Sequence, residues 1–200
     1  MRMREDIRSF IAGVQKPGRY TGGETGSVFK KPEEVRMRIA FCFPDTYEIG
    51  MSNLGMRILV DCFNAVEGVW CERVYAPWID MEEEMRKRSV PLFTHESGDA
   101  VGQFDMIGIT MQYELCYTTM LNMLDLAGLK IRRDERGRTI RSFWRAAPVP
   151  TIPNRWRILW ISFPSERARK RCRSWRGCGW TCTTTGRTRS GISSTAPRPS

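Results

Sequence analysis

The chain has 200 residues, room for one ordinary domain and not comfortably two. Its net charge of +10 looks like a nucleic-acid signature until it is located: residues 138–200 hold 14 Arg and Lys against one acid, Glu166, whereas residues 1–137 hold 18 basic and 21 acidic residues. With no run near the ~18 consecutive apolar residues of a membrane span and no apolar signal core at the start, the chain reads as cytoplasmic.

Residues 1–14 form a short charged lead with helical character. Lys16 to Ser27 is a glycine-rich loop without the Gly-Lys-Ser/Thr ending of a phosphate-binding loop, so a surface lead-in is the favoured reading. Ile39–Phe43 is a continuous apolar run and reads as a buried strand. Gly50 to Gly55 reads as a small-residue turn, after which Leu54, Ile58, Leu59, Cys62, Phe63 and Val66 recur at helical spacing. Val69–Tyr75 alternates as a second strand. Asp80 can cap a helix through Arg88, with Trp78, Met81 and Met85 as its apolar stripe and three acid-before-base pairs outside (Glu82–Arg86, Glu83–Lys87, Glu84–Arg88). Val90–Phe93 reads as a short third strand. His95 beside a Gly turn is the one histidine, and without a second ligand at metal spacing it reads as a surface-loop residue. Phe104–Met111, apolar on both faces, reads as a central parallel strand, and Tyr117–Ala127 as a helix buried through Met120, Leu121, Leu124 and Ala127, with Gly128 suited to its end.

Strand–helix alternation of this kind implies an α/β layered domain with an open parallel sheet. In such sheets ligands sit over the carboxyl ends of the strands, which selects Asp45, Tyr47, Glu48, Asn53 and Gly55 after the first strand and Gln112, Tyr113 and Glu114 after the Phe104–Met111 strand. A structural role competes evenly at these positions, since Asp45 or Ser52 could cap the helix and the glycines could let it approach the sheet. Glu48 and Glu114 could meet above the sheet, but no nucleophile or base accompanies them, which argues against a hydrolase. Seven cysteines are an odd, scattered set and read as thiols, Cys42 and Cys116 as buried and inert.

Five stretches, KPGRYTGGE, FPDTYEIGMSNLGMRIL, ERVYAPWIDMEEEMR, PLFTHES and FDMIGITMQYELCYTTMLNMLDLAG, cover about residues 15–130 and resemble the N-terminal domain of bacterial B12-binding-domain radical SAM proteins. The resemblance implies a Rossmann-like, cobalamin-binding-type domain at 35–137, after a lead and Gly-rich loop at 1–34. In the intact protein it implies a radical SAM barrel in cis, where a Cys-x3-Cys-x2-Cys motif holds a [4Fe–4S] cluster that cleaves S-adenosylmethionine. Two pieces of that pattern are missing. The Asp-x-His-x-x-Gly loop that brings a histidine to cobalt has no counterpart, and Cys172, Cys178 and Cys182 are spaced x5 and x3. This chain is therefore expected to be inactive by itself.

After Gly137 the character changes. Five of the seven tryptophans lie among arginines in residues 138–200, apolar periodicity ends, and the terminus is rich in Thr, Ser, Arg and Pro. One reading is a disordered basic arm that stacks on RNA bases. The favoured reading is translation out of frame: in the neighbouring frame the segment permits PIVLAGGPCT and later VDIFSIG, a buried strand and a strand–turn that resemble what the family carries here. On that reading the sheet is incomplete, its edge exposed and its folding surplus small. A third reading is a small cofactor-binding α/β module complete in itself.

Overall fold

A computed structural model describes residues 5–132 and the backbone of 142–146. In chain order it holds α1 (Glu5–Ile11), β1 (Met37–Phe43), α2 (Tyr47–Ser52), α3 (Leu54–Asn64), β2 (Val69–Tyr75), α4 (Ile79–Arg88), β3 (Met106–Thr110), α5 (Cys116–Leu126) and β4 (Ser142–Ala146), with three short 3-10 turns. All strand pairs are parallel, in the order β2-β1-β3-β4. The core is the open α/β sheet β2-β1-β3, as the alternation of elements predicts.

Each strand's alternation divides the core in two. Met37, Ile39, Phe41 and Phe43 of β1 pack with Met56 and Val60 of α3 on one face. Ala40 and Cys42 of β1 face the other side, with Ile7 and Phe10 of α1, Met81 and Met85 of α4, and Met120, Met123 and Leu124 of α5. Burial on both faces explains why β1 and β3 read as continuous apolar runs rather than alternating ones. The end of α5 is closed as expected: Gly128 takes φ +68, and Leu129 N–H reaches back to the Leu124 carbonyl at 2.9 Å.

Three local expectations are corrected. Gly50 is not in a turn but inside α2, where the chain presses so close to β2 that a Cβ would lie 2.5 Å from the Tyr75 ring. α3 begins at Leu54, as the pattern predicts, but its buried residues are Met56 and Val60, with Leu59, Phe63 and the following Val66 partly covered, while Leu54 and Ile58 are exposed. Val90–Phe93 is not a sheet strand. Its backbone bonds instead to Leu126 and Val101, with a single antiparallel bridge from Phe93 to Ala100.

Beside the three-strand sheet, β4 pairs along the free edge of β3. Ser142 to Ala146 lies in register with Met106 to Thr110. Its two central aromatics favour extended backbone, and a free parallel edge offers them a ladder. The rest of the segment read as a disordered basic tail (138–141 and 147–200) lies outside the described residues.

The opposite edge, β2, is closed without a strand. Val69 O accepts from Lys30 Nζ at 2.5 Å, and Asn64 at the end of α3 serves Cys71 twice, accepting from its N–H at 2.9 Å and donating to its carbonyl at 3.0 Å. Arg73 N–H donates to Glu96 Oε2 at 2.7 Å, and Arg73 O accepts from His95 N–H at 2.8 Å. The segment carrying His95 and Glu96 is held from the other side by Glu72, a fully buried carboxylate bound by Arg38 Nη2 (2.5 Å), Thr94 Oγ1 (2.9 Å) and Ser97 N (3.0 Å). Buried carboxylates need such partners, and here every one of them also anchors the edge.

Candidate functional site

The order β2-β1-β3 reverses at β1: the chain leaves it for β2 on one side and returns past it to β3 on the other. At such a reversal the loops diverge and leave a crevice over the carboxyl ends. Asp45, after β1, and Tyr113, after β3, meet there, Tyr113 Oη donating to Asp45 Oδ2 at 3.0 Å. That bond, with the nearby Cys116 thiol and some burial, pushes the Tyr113 hydroxyl up to about 12. The Asp45 carbonyl accepts from Ala76 N–H at 2.9 Å, which ties this loop to the one after β2.

The other sequence-selected residues separate. Asn53 caps α3, its Oδ1 accepting from Met56 N–H at 2.9 Å, and Gly55 sits in the first turn of that helix beside it. Gln112 is half-buried and Glu114 exposed next to Tyr113. Glu48 is engaged by Arg19 Nε at 2.8 Å and Lys16 Nζ at 3.6 Å.

Tyr47 belongs to a denser constellation on the β1–β2 side. His95 is buried, a correction to its reading as a surface-loop residue: its ring stacks on Tyr47 (centroids 5.2 Å) and meets the Tyr75 edge (5.4 Å). Its Nε2 lies 2.7 Å from Glu24 Oε1, so the glycine-rich loop is a strap across the carboxyl end of the sheet. Arg73 Nη1 contacts the other Glu24 oxygen at 2.6 Å, its Nε contacts Glu96 at 2.6 Å, and Ser27 Oγ accepts from its Nη2 at 3.0 Å. Tyr20 Oη, also on the strap, accepts from Trp78 N–H at 3.1 Å.

The charges here are set by competition between burial and partners. Burial would raise Glu24, but the bonds and charges of His95, Tyr47 and Arg73 outweigh it and hold the carboxyl at about 2. A carboxylate has no proton to give, so His95 Nε2 is the donor in that pair. Burial, then the bond to Glu24, pushes Tyr47 up to about 12. Glu96, nearly enclosed, is pushed up by burial against the pull of Arg73. Beside the cluster is a cavity of about 20 Å³ lined by Arg19, Tyr20, Tyr75 and His95 among others, water-sized. Arg19 Nη1 is buried without a partner, an omission that ordinarily costs about 1–3 kcal/mol.

Sequence reading missed Glu24, Arg73, His95 and Arg19 because their contacts span dozens of residues and follow no periodicity. One signal was present: KPGRYTGGE carries Arg19 and Glu24, FPDTYEIG carries Tyr47, ERVYAPW carries Arg73 and PLFTHES carries His95. Four of the stretches that carry the family resemblance converge at this one place.

The four free cysteines among the described residues make no disulfide; Cys42 and Cys71 lie in opposite cores, and burial raises both thiols. Among the described residues no helix is long and apolar enough to cross a membrane. Residues 55–142 match the family described as radical SAM proteins, N-terminal. No curated protein and no solved structure matches the chain.

Proposed function

We propose that this chain is the N-terminal α/β domain of a radical SAM iron–sulfur protein, separated from its catalytic barrel by a change of reading frame near residue 138. The domain binds and positions; it does not carry out the radical step. The observation that carries this reading is the match of residues 55–142 to radical SAM N-terminal domains, which ends where the basic, Trp-rich sequence has begun. In the family a [4Fe–4S] cluster, when bound in the barrel, supplies reductive cleavage of S-adenosylmethionine. The described residues offer no place for it: no group of three His, Cys, Asp or Glu side chains able to hold a metal occurs among them. Exposed Ile49, Met51, Leu54, Ile58 and Leu115 give the domain apolar surface of the kind a barrel in cis would cover.

The residues present do not fit cobalamin. The imidazole of His95 is stacked on Tyr47 with its Nε2 committed to Glu24, and the adjoining cavity is water-sized. No role is assigned to that cofactor. The candidate ligand-facing residues of this domain are Asp45 and Tyr113 at the reversal, flanked by Gln112 and Glu114, with Tyr47 and Glu48 toward the strap.

The test is to sequence the gene through codons 130–145 and about a kilobase beyond the stop. A single-base slip followed by an open frame with Cys-x3-Cys-x2-Cys is the expected result, and the restored protein should bind iron and release 5′-deoxyadenosine on reduction. A confirmed frame with no such cysteines downstream overturns the proposal. The surplus of 13 positive charges in residues 138–200 would then favour an RNA-binding arm, read as salt-sensitive binding lost on deleting those residues.

A further inference from the structure

We propose that Arg73, His95 and Tyr47 form a carboxylate-binding site at the carboxyl end of β1 and β2, and that Glu24 fills it from within the chain as a tethered stand-in for a small carboxylate ligand. Three elements supply the site: β2 brings Arg73, α2 brings Tyr47 and the segment after Phe93 brings His95. Their polar groups converge on one carboxylate, with Arg73 Nη1 on one oxygen at 2.6 Å and His95 Nε2 on the other at 2.7 Å. The Tyr47 hydroxyl interacts with the same group.

This base has fixings of its own that do not come from the strap. His95 N–H is bonded to the Arg73 carbonyl, Arg73 Nε is held by Glu96, and the imidazole is wedged between Tyr47 and Tyr75. The donors therefore keep their arrangement when Glu24 leaves, as a binding site requires and a mere surface salt bridge does not. The strap, by contrast, is built to move. Gly22 and Gly23 precede Glu24 and Gly26 follows it, all at positive φ (60°, 79° and 89°), so the backbone on both sides of the carboxylate has glycine's freedom. Donors also exceed acceptors here, because Arg19 Nη1, on the wall of the cavity that touches His95, is buried without a partner. A ligand larger than a single carboxylate, entering as Gly22 to Gly26 lift while Arg19 stays anchored on Glu48, would meet that spare donor. A planar carboxylate matches the two-oxygen contact seen with Glu24, whereas a tetrahedral phosphate would have to present two of its oxygens in the same way.

The test uses the full chain. Glu24→Ala empties the site, and acetate, inorganic phosphate and chloride are compared at matched ionic strength by thermal melting. Glu24→Ala is expected to melt lower than wild type, with acetate restoring at least half of the loss saturably, chloride restoring none, and wild type unmoved by acetate. Glu24→Ala/His95→Phe, which keeps an aromatic ring against Tyr47 but removes the nitrogen, should lose the acetate response. A response equal to that of chloride, or one that survives His95→Phe, overturns the proposal. Recovery by phosphate but not acetate overturns the carboxylate assignment. Should Glu24→Ala fail to fold, Glu24→Gln keeps the side chain's shape. The single histidine then reports directly: its imidazole NMR signals should shift with acetate, and unchanged signals refute the site. Sequencing the gene decides the domain's parentage separately, so either result can fail alone.

Discussion

The two edges of the sheet are finished in opposite ways. β2 is closed by side chains and backbone drawn from Lys30, Asn64, His95 and Glu96, scattered over the chain and each aimed at one or two backbone groups. β3 is closed by one run of five residues, Ser142 to Ala146, from the stretch where the sequence changes character. A sheet edge presents unpaired N–H and C=O groups wherever nothing covers it. The first edge is thus closed from within residues 30–96, whereas the second depends on the segment past the change in composition.

That contrast can be broken from either side. The largest effect is expected from ending the chain at Gly137: β3 loses its partner, and light scattering after size exclusion should show dimers and larger species. A chain continued from residue 138 in the neighbouring frame should run as a monomer and melt higher than the chain as given. On the β2 side, Glu96→Ala leaves Arg73 N–H open and removes the most deeply buried of the three partners of its guanidinium. A loss of about 3 kcal/mol in urea unfolding is expected. Asn64→Ala frees both polar groups of Cys71 and should cost about 1–3 kcal/mol, with faster amide exchange confined to β2.

The smallest effect is a dependence on pH. Glu24 is held at about 2 against an ordinary 4.5, so its contribution is present above 4.5 and fades as pH falls toward 2. The urea midpoints of wild type and Glu24→Gln should therefore converge between about pH 6 and about pH 2.5. Glu96 acts with the opposite sign: its raised value means that its contribution fades as pH rises through the folded pKa. A difference between the two proteins that persists unchanged to the acid end would refute the Glu24 clasp.

What was legible in the sequence follows from where the physics is local. β1 and β3 declare themselves because parallel strands buried on both faces need apolar runs, β2 declares itself by alternation, and α5 declares both its face and its glycine stop. Asp45 and Tyr113 were selected by their places after the strand ends, and their side chains meet. The turn at Gly50 was misread because glycine there serves a close approach to Tyr75 rather than a bend. Leu54 and Ile58 misled for another reason: their spacing is helical, but apolar side chains are common on surfaces, and it is Met56 and Val60, flanked by Leu59, Phe63 and Val66, that meet the sheet. His95 was illegible because the groups that enclose it, Tyr47, Tyr75 and Glu24, are distant in the chain, Glu24 by 71 residues.

That separation has a consequence for the order in which the molecule can form. β1 has no neighbour to pair with until β2 emerges, and the strap has nothing to grip until residue 95 exists. At a synthesis rate of about 5–20 residues per second, the 71 residues between Glu24 and His95 take roughly 4–14 s to make. Until β2 emerges within that interval, the first part of the chain waits as an unpaired strand with a glycine-rich leader. The strap can therefore dock once β1 and β2 have paired and before β3 (Met106–Thr110) has been made, so slowing translation between codons 24 and 95 prolongs the vulnerable stage.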